Sequence, residues 1–311
     1  MAPKVSAITL YPIKSCHYIN VDSCEVDELG LKLDRRFMFV DESTGRFITQ
    51  RKYASMTLIH PVVDKENGTL TLTAEGFPSV SVPLFPDVTK LAARKAQLWK
   101  DTLTVFDLGD EAAAWITNFF KANRKHDLEN DHNPDEAVKP DEFRNIRLVT
   151  LDDPNNGRYA RPAHGKLPGI HSPFSDWSPI SFGFEASLDD LNKGLVEKAN
   201  GRSIPINRFR NNLTISGTKA WEEDDWLVVK IGEVTFYVIR PIARCTVPSI
   251  DQDTGVKDEW GSVLSYLKAV RHFDEKPNDG FFCVDVAPLT RGTIHVGDEV
   301  EILERVPKKK E

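Results

Sequence analysis

This sequence predicts a β-rich α+β fold, barrel-like or sandwich-like over its first 110 residues, and three observations carry that prediction. Short runs of alternating or β-branched residues recur at close spacing over 5–10, 34–51, 58–64, 69–74, 80–84 and 102–106. Helical periodicity is confined to a few stretches, near 111–122, 187–198 and 262–271. The third observation is size. A chain of 311 residues exceeds what one hydrophobic core usually serves, so two domains, or one barrel with a large appended layer, is expected.

Taken in order, residues 5–10 (VSAITL) alternate and stop at Pro12, which predicts an edge or entry strand. The loop that follows carries Lys14 beside Ser15. A cation next to a hydroxyl at a strand end suits an anion clamp, and a solvated lysine in a turn fits the same residues. Residues 34–51 read as two strands about a Ser-Thr-Gly turn, and Asn67-Gly68 between two apolar runs predicts a hairpin with a type I′ turn. In 110–122, Trp115, Ile116, Phe119 and Phe120 share one helical face and are expected in the core. The polar, acidic and Pro-interrupted text that follows marks a linker or surface loop over 127–144. His126 and His132 flank its start, but six residues of loop fix no metal geometry.

A strand over 145–151 opens the second half, and a Gly/Pro-rich loop spans 152–173. Ser187 and Asp190 predict a capping box for the next helix, with Leu188, Leu191 and Leu195 on one face. Asn207-Arg208-Phe209-Arg210-Asn211-Asn212 then brings two arginines among amides. A guanidinium there suits a phosphate or a pterin edge, or a surface ion pair. A hairpin about Gly232 leads to Cys245, and residues 292–303 read as a final hairpin. The division expected is 1–126, a linker over 127–144, and 145–311.

Composition excludes several classes. Hydrophobic residues at 40% and charged residues at 28% are ordinary for a globular chain, which leaves no room for wholesale disorder. Forty-seven acidic residues against 40 basic give a net charge of −7, the wrong sign for a general nucleic-acid coat; a small anionic ligand needs only a local basic cluster. Cys16, Cys24, Cys245 and Cys283 form no C-x-x-C pair and follow no secretory signal, which points to reduced thiols. Strand text begins at Val5 and no run of 18 apolar residues occurs, so a cytoplasmic protein without anchor or transit peptide is expected; the Lys308-Lys309-Lys310 tail reads as a solvated terminus. No G-x-S-x-G, G-x-x-x-x-G-K-[ST] or G-x-G-x-x-G supports a hydrolase or nucleotide enzyme.

The stretch Arg240 to Gly255, RPIARCTVPSIDQDTG, holds the chemistry. Cys245 leaves a strand-like run directly after Arg244 and before an Asp-x-Asp-Thr-Gly turn. A thiol is a ligand or nucleophile only as thiolate, and a neighbouring cation and exposed amides favour that form. The residues alone also allow a buried structural cysteine.

The pattern R-C-x-x-x-x-x-D-x-x-T-G resembles the signature of the MOSC domain family. The opening Tyr11-Pro12-Ile13-Lys14-Ser15-Cys16, the pair Asp34-Arg35, Ser175-Asp176-Trp177-Ser178-Pro179 before Glu185 to Asn192, Arg210-x-Asn212 and the closing G-T-I-x-V-G-D extend the likeness over nearly the whole chain. The subgroup it resembles is the amidoxime-reducing components, which implies an N-terminal β-barrel domain followed by a MOSC β-barrel domain with a few packing helices. The same likeness implies a molybdenum cofactor (molybdopterin) held by Lys14, Ser15, Arg35, Ser178, Arg210 and Asn212, with Cys245 as metal ligand. Arg244 and Asp251 join Cys245 at the catalytic centre, the guanidinium offsetting negative charge and the carboxylate fixing the turn, as a plain Asx-turn also would.

The implied activity is oxygen removal from N-hydroxylated compounds, amidoxime to amidine, with electrons from a separate redox protein of haem-protein and flavin-reductase type. The chain has no C-x-x-x-x-C-x-x-C of a fused ferredoxin to supply them. A cofactor carrier and a sulfur-transfer protein with a persulfide on Cys245 are the competing readings. The sulfurases have a pyridoxal-phosphate desulfurase domain, for which barrel plus MOSC domain leave no space here. Trp177, Phe184, Asn211, Ala243 and Phe282-Cys283-Val284 depart from the family's pattern and bear on pocket shape.

Overall fold

The computed structural model describes residues 2–131, 145–152, 158–159, 169–258 and 263–307. Ten strands come first: β1 (Lys4–Leu10), β2 (Ile19–Val21), β3 (Ser23–Asp27), β4 (Gly30–Leu31), β5 (Phe37–Asp41), β6 (His60–Asp64), β7 (Thr69–Thr73), β8 (Val80–Pro83), β9 (Ala92–Leu98) and β10 (Asp101–Asp107). They precede helices α1 (Asp110–Ala122) and α2 (Arg124–Glu129). The second half runs β11 (Ile146–Thr150), β12 (Arg158–Tyr159), β13 (His171–Ser172), β14 (Ile180–Phe184), α3 (Glu185–Lys198), β15 (Leu213–Ser216), β16 (Trp226–Ile231) and β17 (Val234–Ala243). It closes with α4 (Val263–Val270), β18 (Phe281–Pro288), β19 (Gly292–His295) and β20 (Val300–Arg305). The fold is strand-rich with few helices, as expected.

One eight-stranded sheet, in the order β2-β1-β15-β14-β18-β17-β16-β20, supports the C-terminal half. Its pairings are antiparallel except β14 with β15. That parallel pair needs a crossover, and α3 supplies it. Gly183 in β14 has no room for a side chain, because a Cβ there would lie 2.8 Å from the Asn211 amide packed over it. Asn211 in turn donates through Nδ2 to Leu213 O and Thr214 Oγ1, both at 3.0 Å.

Sheet membership crosses the expected 127–144 linker in both directions. The four-stranded sheet β5-β11-β10-β9 takes β11 from the second half, while β1 and β2 join the large sheet. β1 is therefore not an edge strand: it lies between β2 and β15. One core gathers α1, β5 to β8 and the Ile13–Cys16 turn, and a second fills the eight-stranded sheet. Trp115, Ile116, Phe119 and Phe120 are all buried, as the helical spacing predicts.

Four local expectations are corrected. The β6–β7 connection is not type I′. Gly68 alone is left-handed (φ 64), and the Asp64 carboxylate organises the loop by accepting from Glu66 N, Asn67 N and Asn67 Nδ2. The capping box at Ser187 does not form, because α3 starts two residues earlier. Ser187 Oγ instead donates to buried Glu223 at 2.9 Å and accepts from Trp221 N. The final hairpin is absent: β19 pairs with β3 and β20 with β16. Lastly, 124–129 is helix rather than loop, held down by Asp127, whose two carboxylate oxygens accept from Ser55 N and Ser55 Oγ at 2.8 Å. Residues 132–144, including His132, and most of the 152–173 stretch lie outside the described residues.

Burial pushes the Asp127 carboxyl up to about 7, against the hydrogen bonds from Ser55 that favour its ionised form. An acid with a raised folded pKa contributes stability that is complete below its unfolded value of about 3.9 and is lost as pH rises to about 7. Asp127→Asn keeps an acceptor and a donor for Ser55 and cannot ionise. The unfolding midpoint of the wild type is expected to fall relative to the variant's between pH 5 and pH 7.5. A difference that stays constant over that range would show that the carboxyl titrates normally. Glu223, also pushed up to about 7 by burial, acts in the same window, so the difference between proteins is the readout.

Candidate functional site

Cys245 lies two residues beyond the end of β17 and half-buried, at the wall of a cavity of about 380 Å³. The other three thiols are buried: desolvation pushes Cys24 and Cys283 up to about 12, and Cys16 higher still. Only Cys245 reaches the cavity. The same cavity is lined by Lys14, Ser15, Arg35, Ser178, Arg210, Asn212 and Arg244. Of the residues that the family likeness assigned to the cofactor and the catalytic centre, Asp251 alone does not line it.

These side chains arrive from distant elements. Pro12 ends β1, and the turn behind it passes between the two large sheets, where Lys14 N donates to Phe37 O at 2.8 Å. Lys14 is buried, its Nζ donating to Phe174 O at 2.8 Å and paired with Asp176. Partial desolvation at the cavity wall would raise the exposed Asp176 carboxyl, but Lys14 first and then Arg51 and the Trp99 indole hold it far below the usual range. Arg35 follows β4, and the 206–209 turn ahead of β15 presents Arg210. Ser15, Arg35 and Arg210 all have left-handed backbone (φ 69, 49 and 55), which non-glycine residues adopt only where the surroundings impose it.

A stack on the buried Tyr11 ring joins the two half-buried arginines. The Tyr11 ring has the Arg210 guanidinium 4.1 Å and the Arg35 guanidinium 4.6 Å from its centroid. Asp34, fully buried, accepts from Tyr11 N at 2.8 Å and pairs with Arg35. Arg35 also donates to Asn212 Oδ1 at 3.2 Å and to Arg210 O at 2.9 Å. Asn212 spends its remaining capacity on Ser181 N and Thr9 O, so it positions Arg35 and the strand. Burial pushes Arg210 down to about 10, although Tyr11 and Asp34 oppose the shift. Its Nη1 donates to Gln252 Oε1 at 2.8 Å, while its Nη2 and the Nε2 of neighbouring Gln50 are buried with no partner among the described residues.

Arg244 packs over Phe209, 5.2 Å from the ring centroid, and donates to Phe209 O at 2.7 Å. Ser178 Oγ lies 2.8 Å from Ile180 O and 2.7 Å from Asp285 Oδ1, and burial raises the Asp285 carboxyl. Asp251 is a turn-former. Its Oδ1 accepts from Asp253 N and Thr254 N at 3.0 Å, and its Oδ2 pairs with Arg208 at 3.0 Å. Arg208 also pairs with Asp258, so of the two neighbouring arginines one faces the turn and one the cavity. His126 makes its contact to Gly255 O at 3.1 Å, a strut behind the same turn.

Gln50, Arg51, Trp99, Asp176 and Asp285 line the cavity without having been assigned a role from sequence. Asp176 sat within the quoted S-D-x-S-P text; the others carry no spacing signal, because the fold alone delivers them. Among the described residues, five cations (Lys14, Arg35, Arg51, Arg210, Arg244) and two carboxylates line the cavity, in a chain of net charge −7. The site is electropositive, adapted to a small anionic group, with one reachable thiol.

Comparison with known proteins places both parts of the chain. Residues 2–123 match the MOSC N-terminal beta barrel domain and residues 171–301 match the MOSC domain. The mitochondrial amidoxime reducing component 2 of Bos taurus is 30% identical over 312 residues, covering 95% of this chain and 82% of that protein. The Rattus norvegicus counterpart is 29% identical over 308 residues with the same coverage. Molybdenum cofactor sulfurase of Homo sapiens is 27% identical over 266 residues, 82% of this chain but 27% of that protein. Among the described residues no helix is long and apolar enough to cross a membrane. With both domains matched and the amidoxime reducing components aligned over most of their length, the chain belongs to the MOSC domain family and is amidoxime-reducing-component-like in its make-up.

Proposed function

We propose that the chain binds the molybdenum cofactor in this cavity and reduces N-hydroxylated compounds with electrons from a separate redox protein. The observation that carries the reading is the convergence of a single reachable thiol, Cys245, with five cations on one cavity. The residues fit the group. Two buried donors, Arg210 Nη2 and Gln50 Nε2, have no partner among the described residues, as expected of atoms whose acceptor is an anionic ligand. A thiolate is a soft ligand suited to molybdenum.

Lys14, Ser15, Arg35 and Arg210 would bind the cofactor's anionic end, with Ser178 and Asn212 fixing the walls around it. When bound, the cofactor supplies two-electron redox chemistry at molybdenum. Cys245 would hold the metal at the half-open mouth, Arg244 would offset negative charge beside it, and Asp251 would keep the turn rigid through Asp253 N and Thr254 N. The net reaction breaks the substrate N–O bond: an amidoxime takes up two electrons and two protons and leaves as amidine and water.

The test supplies holo-protein with benzamidoxime and a haem-protein and flavin-reductase pair, and follows benzamidine. Turnover is expected, together with one molybdenum per chain. Lys14→Ala and Arg210→Ala should lower molybdenum occupancy by about 10- to 100-fold while changing turnover per bound metal much less. Fully loaded protein that is inert with every donor yet passes its cofactor to an apo-enzyme would establish the carrier reading instead.

A further inference from the structure

On the cavity wall the Ser178 hydroxyl sits between two oxygens. Its Oγ lies 2.8 Å from Ile180 O and 2.7 Å from Asp285 Oδ1, and all three residues are buried. A hydroxyl has one proton to donate and two lone pairs with which to accept. At these lengths one proton cannot serve both oxygens in line, because a hydrogen bond weakens steeply once it bends below about 120°. A peptide carbonyl carries no proton. Ser178 therefore donates to Ile180 O, and the carboxyl of Asp285 donates to Ser178 Oγ. That makes Asp285 a neutral acid, its Oδ2 accepting from Arg240 Nε at 3.1 Å.

The surroundings favour that form. Asp285 lies in β18 between Ser181 of β14 and Arg240 of β17, and burial raises its carboxyl against the opposing pull of Arg240 and Arg244. β14 (ISFGF) brings no charged side chain, and the Cys283 thiol, pushed up to about 12, carries no charge at neutral pH. The cavity's other carboxyl, Asp176, is the opposite case: despite desolvation it is held ionised by Lys14. Two carboxyls on one cavity, driven apart by their environments, mark one as an acid and the other as a fixed charge.

We infer that Asp285 is the acid of the reduction, delivering a proton through the Ser178 hydroxyl to the oxygen that leaves the substrate. The inference rests on the reductase reading and adds the proton donor. Breaking the N–O bond takes two electrons, from the redox partner, and two protons, and the oxygen departs as water. Ser178 passes its own proton to that oxygen as it takes the one on Asp285 Oδ1. Arg240 holds the carboxylate that results, and solvent at the cavity mouth reloads the acid for the second proton.

Asparagine tests this, because it copies the protonated acid. Its amide nitrogen donates to Ser178 Oγ and its carbonyl accepts from Arg240, yet it gives up no proton. Asp285→Asn is expected to keep the wild-type unfolding midpoint and molybdenum content. Its kcat for benzamidoxime should fall at least about 100-fold with KM little changed, and the decline in rate that the wild type shows as rising pH ionises the acid should vanish. In cofactor-free protein at pH 6, the infrared C=O band of protonated carboxyls should be weaker in the variant by one group. Wild-type turnover in the variant, or an unchanged band, would overturn the assignment. So would a marked loss of stability in Asp285→Asn, the sign of a broken ion pair with Arg240. An inert wild type would end the reductase reading instead, and the infrared arm, which needs no cofactor, then decides alone whether Asp285 holds its proton.

Discussion

Cys245→Ser should lower benzamidoxime turnover more than about 100-fold and strip the protein of molybdenum. Loss of groups that merely orient a metal ligand already costs about 10- to 100-fold, and this change removes the ligand atom. Serine offers a hard oxygen whose proton is held far more tightly than a thiol's, so it neither ionises nor suits molybdenum. Cys24→Ser is the matched control. That thiol donates to Glu25 O and Lys32 O away from the cavity, contacts that a hydroxyl can keep. Metal analysis and turnover on both variants decide the matter. A Cys245→Ser protein that retains its metal and its rate would remove the thiol from the centre of the site.

The second large effect is on stability. Asp34→Ala should destabilise the fold by about 3–5 kcal/mol, since deleting one partner of a buried ion pair leaves the other charge uncompensated. Asp34 is fully buried, pairs with Arg35 and accepts the Tyr11 amide at 2.8 Å. Its loss would strand the Arg35 guanidinium against the Tyr11 ring beside Arg210, a second, half-buried cation. Asp34→Asn keeps the acceptor for Tyr11 N and loses only the charge, so its effect should be smaller. Chemical denaturation of the three proteins measures this. A loss under about 1 kcal/mol for Asp34→Ala would mean that the remaining bonds from Arg35 to Asn212 and Arg210 O suffice.

The cavity's electrostatics show how a net acidic protein can present a locally cationic site. Net charge describes the whole surface, whereas the field inside a cleft is set by the groups that line it. Arg210 shows the cost of such an arrangement: it is pushed down to about 10 by burial, and one of its nitrogens lacks a partner among the described residues. An anion at that atom would recover what folding leaves unsatisfied.

Sequence by itself determined the strand-rich class and the three long helices within about two residues, and its family likeness picked out part of the cavity lining along with Asp251, which instead braces the turn behind it. Those features are legible because periods of 2 and 3.6 residues and short motifs are local. The tertiary structure decided what pairs with what. β1 and β2 enter the sheet of the C-terminal half, β11 enters the other, and β19 and β20 part company, because strand pairing is set by which faces are buried together over long separations. Ser187 turns from helix cap to partner of Glu223 for the same reason: a buried carboxylate needed a donor more than the helix needed its cap. Trp99, Arg51 and Gln50 reach the cavity only through that packing, where no spacing in the chain announces them.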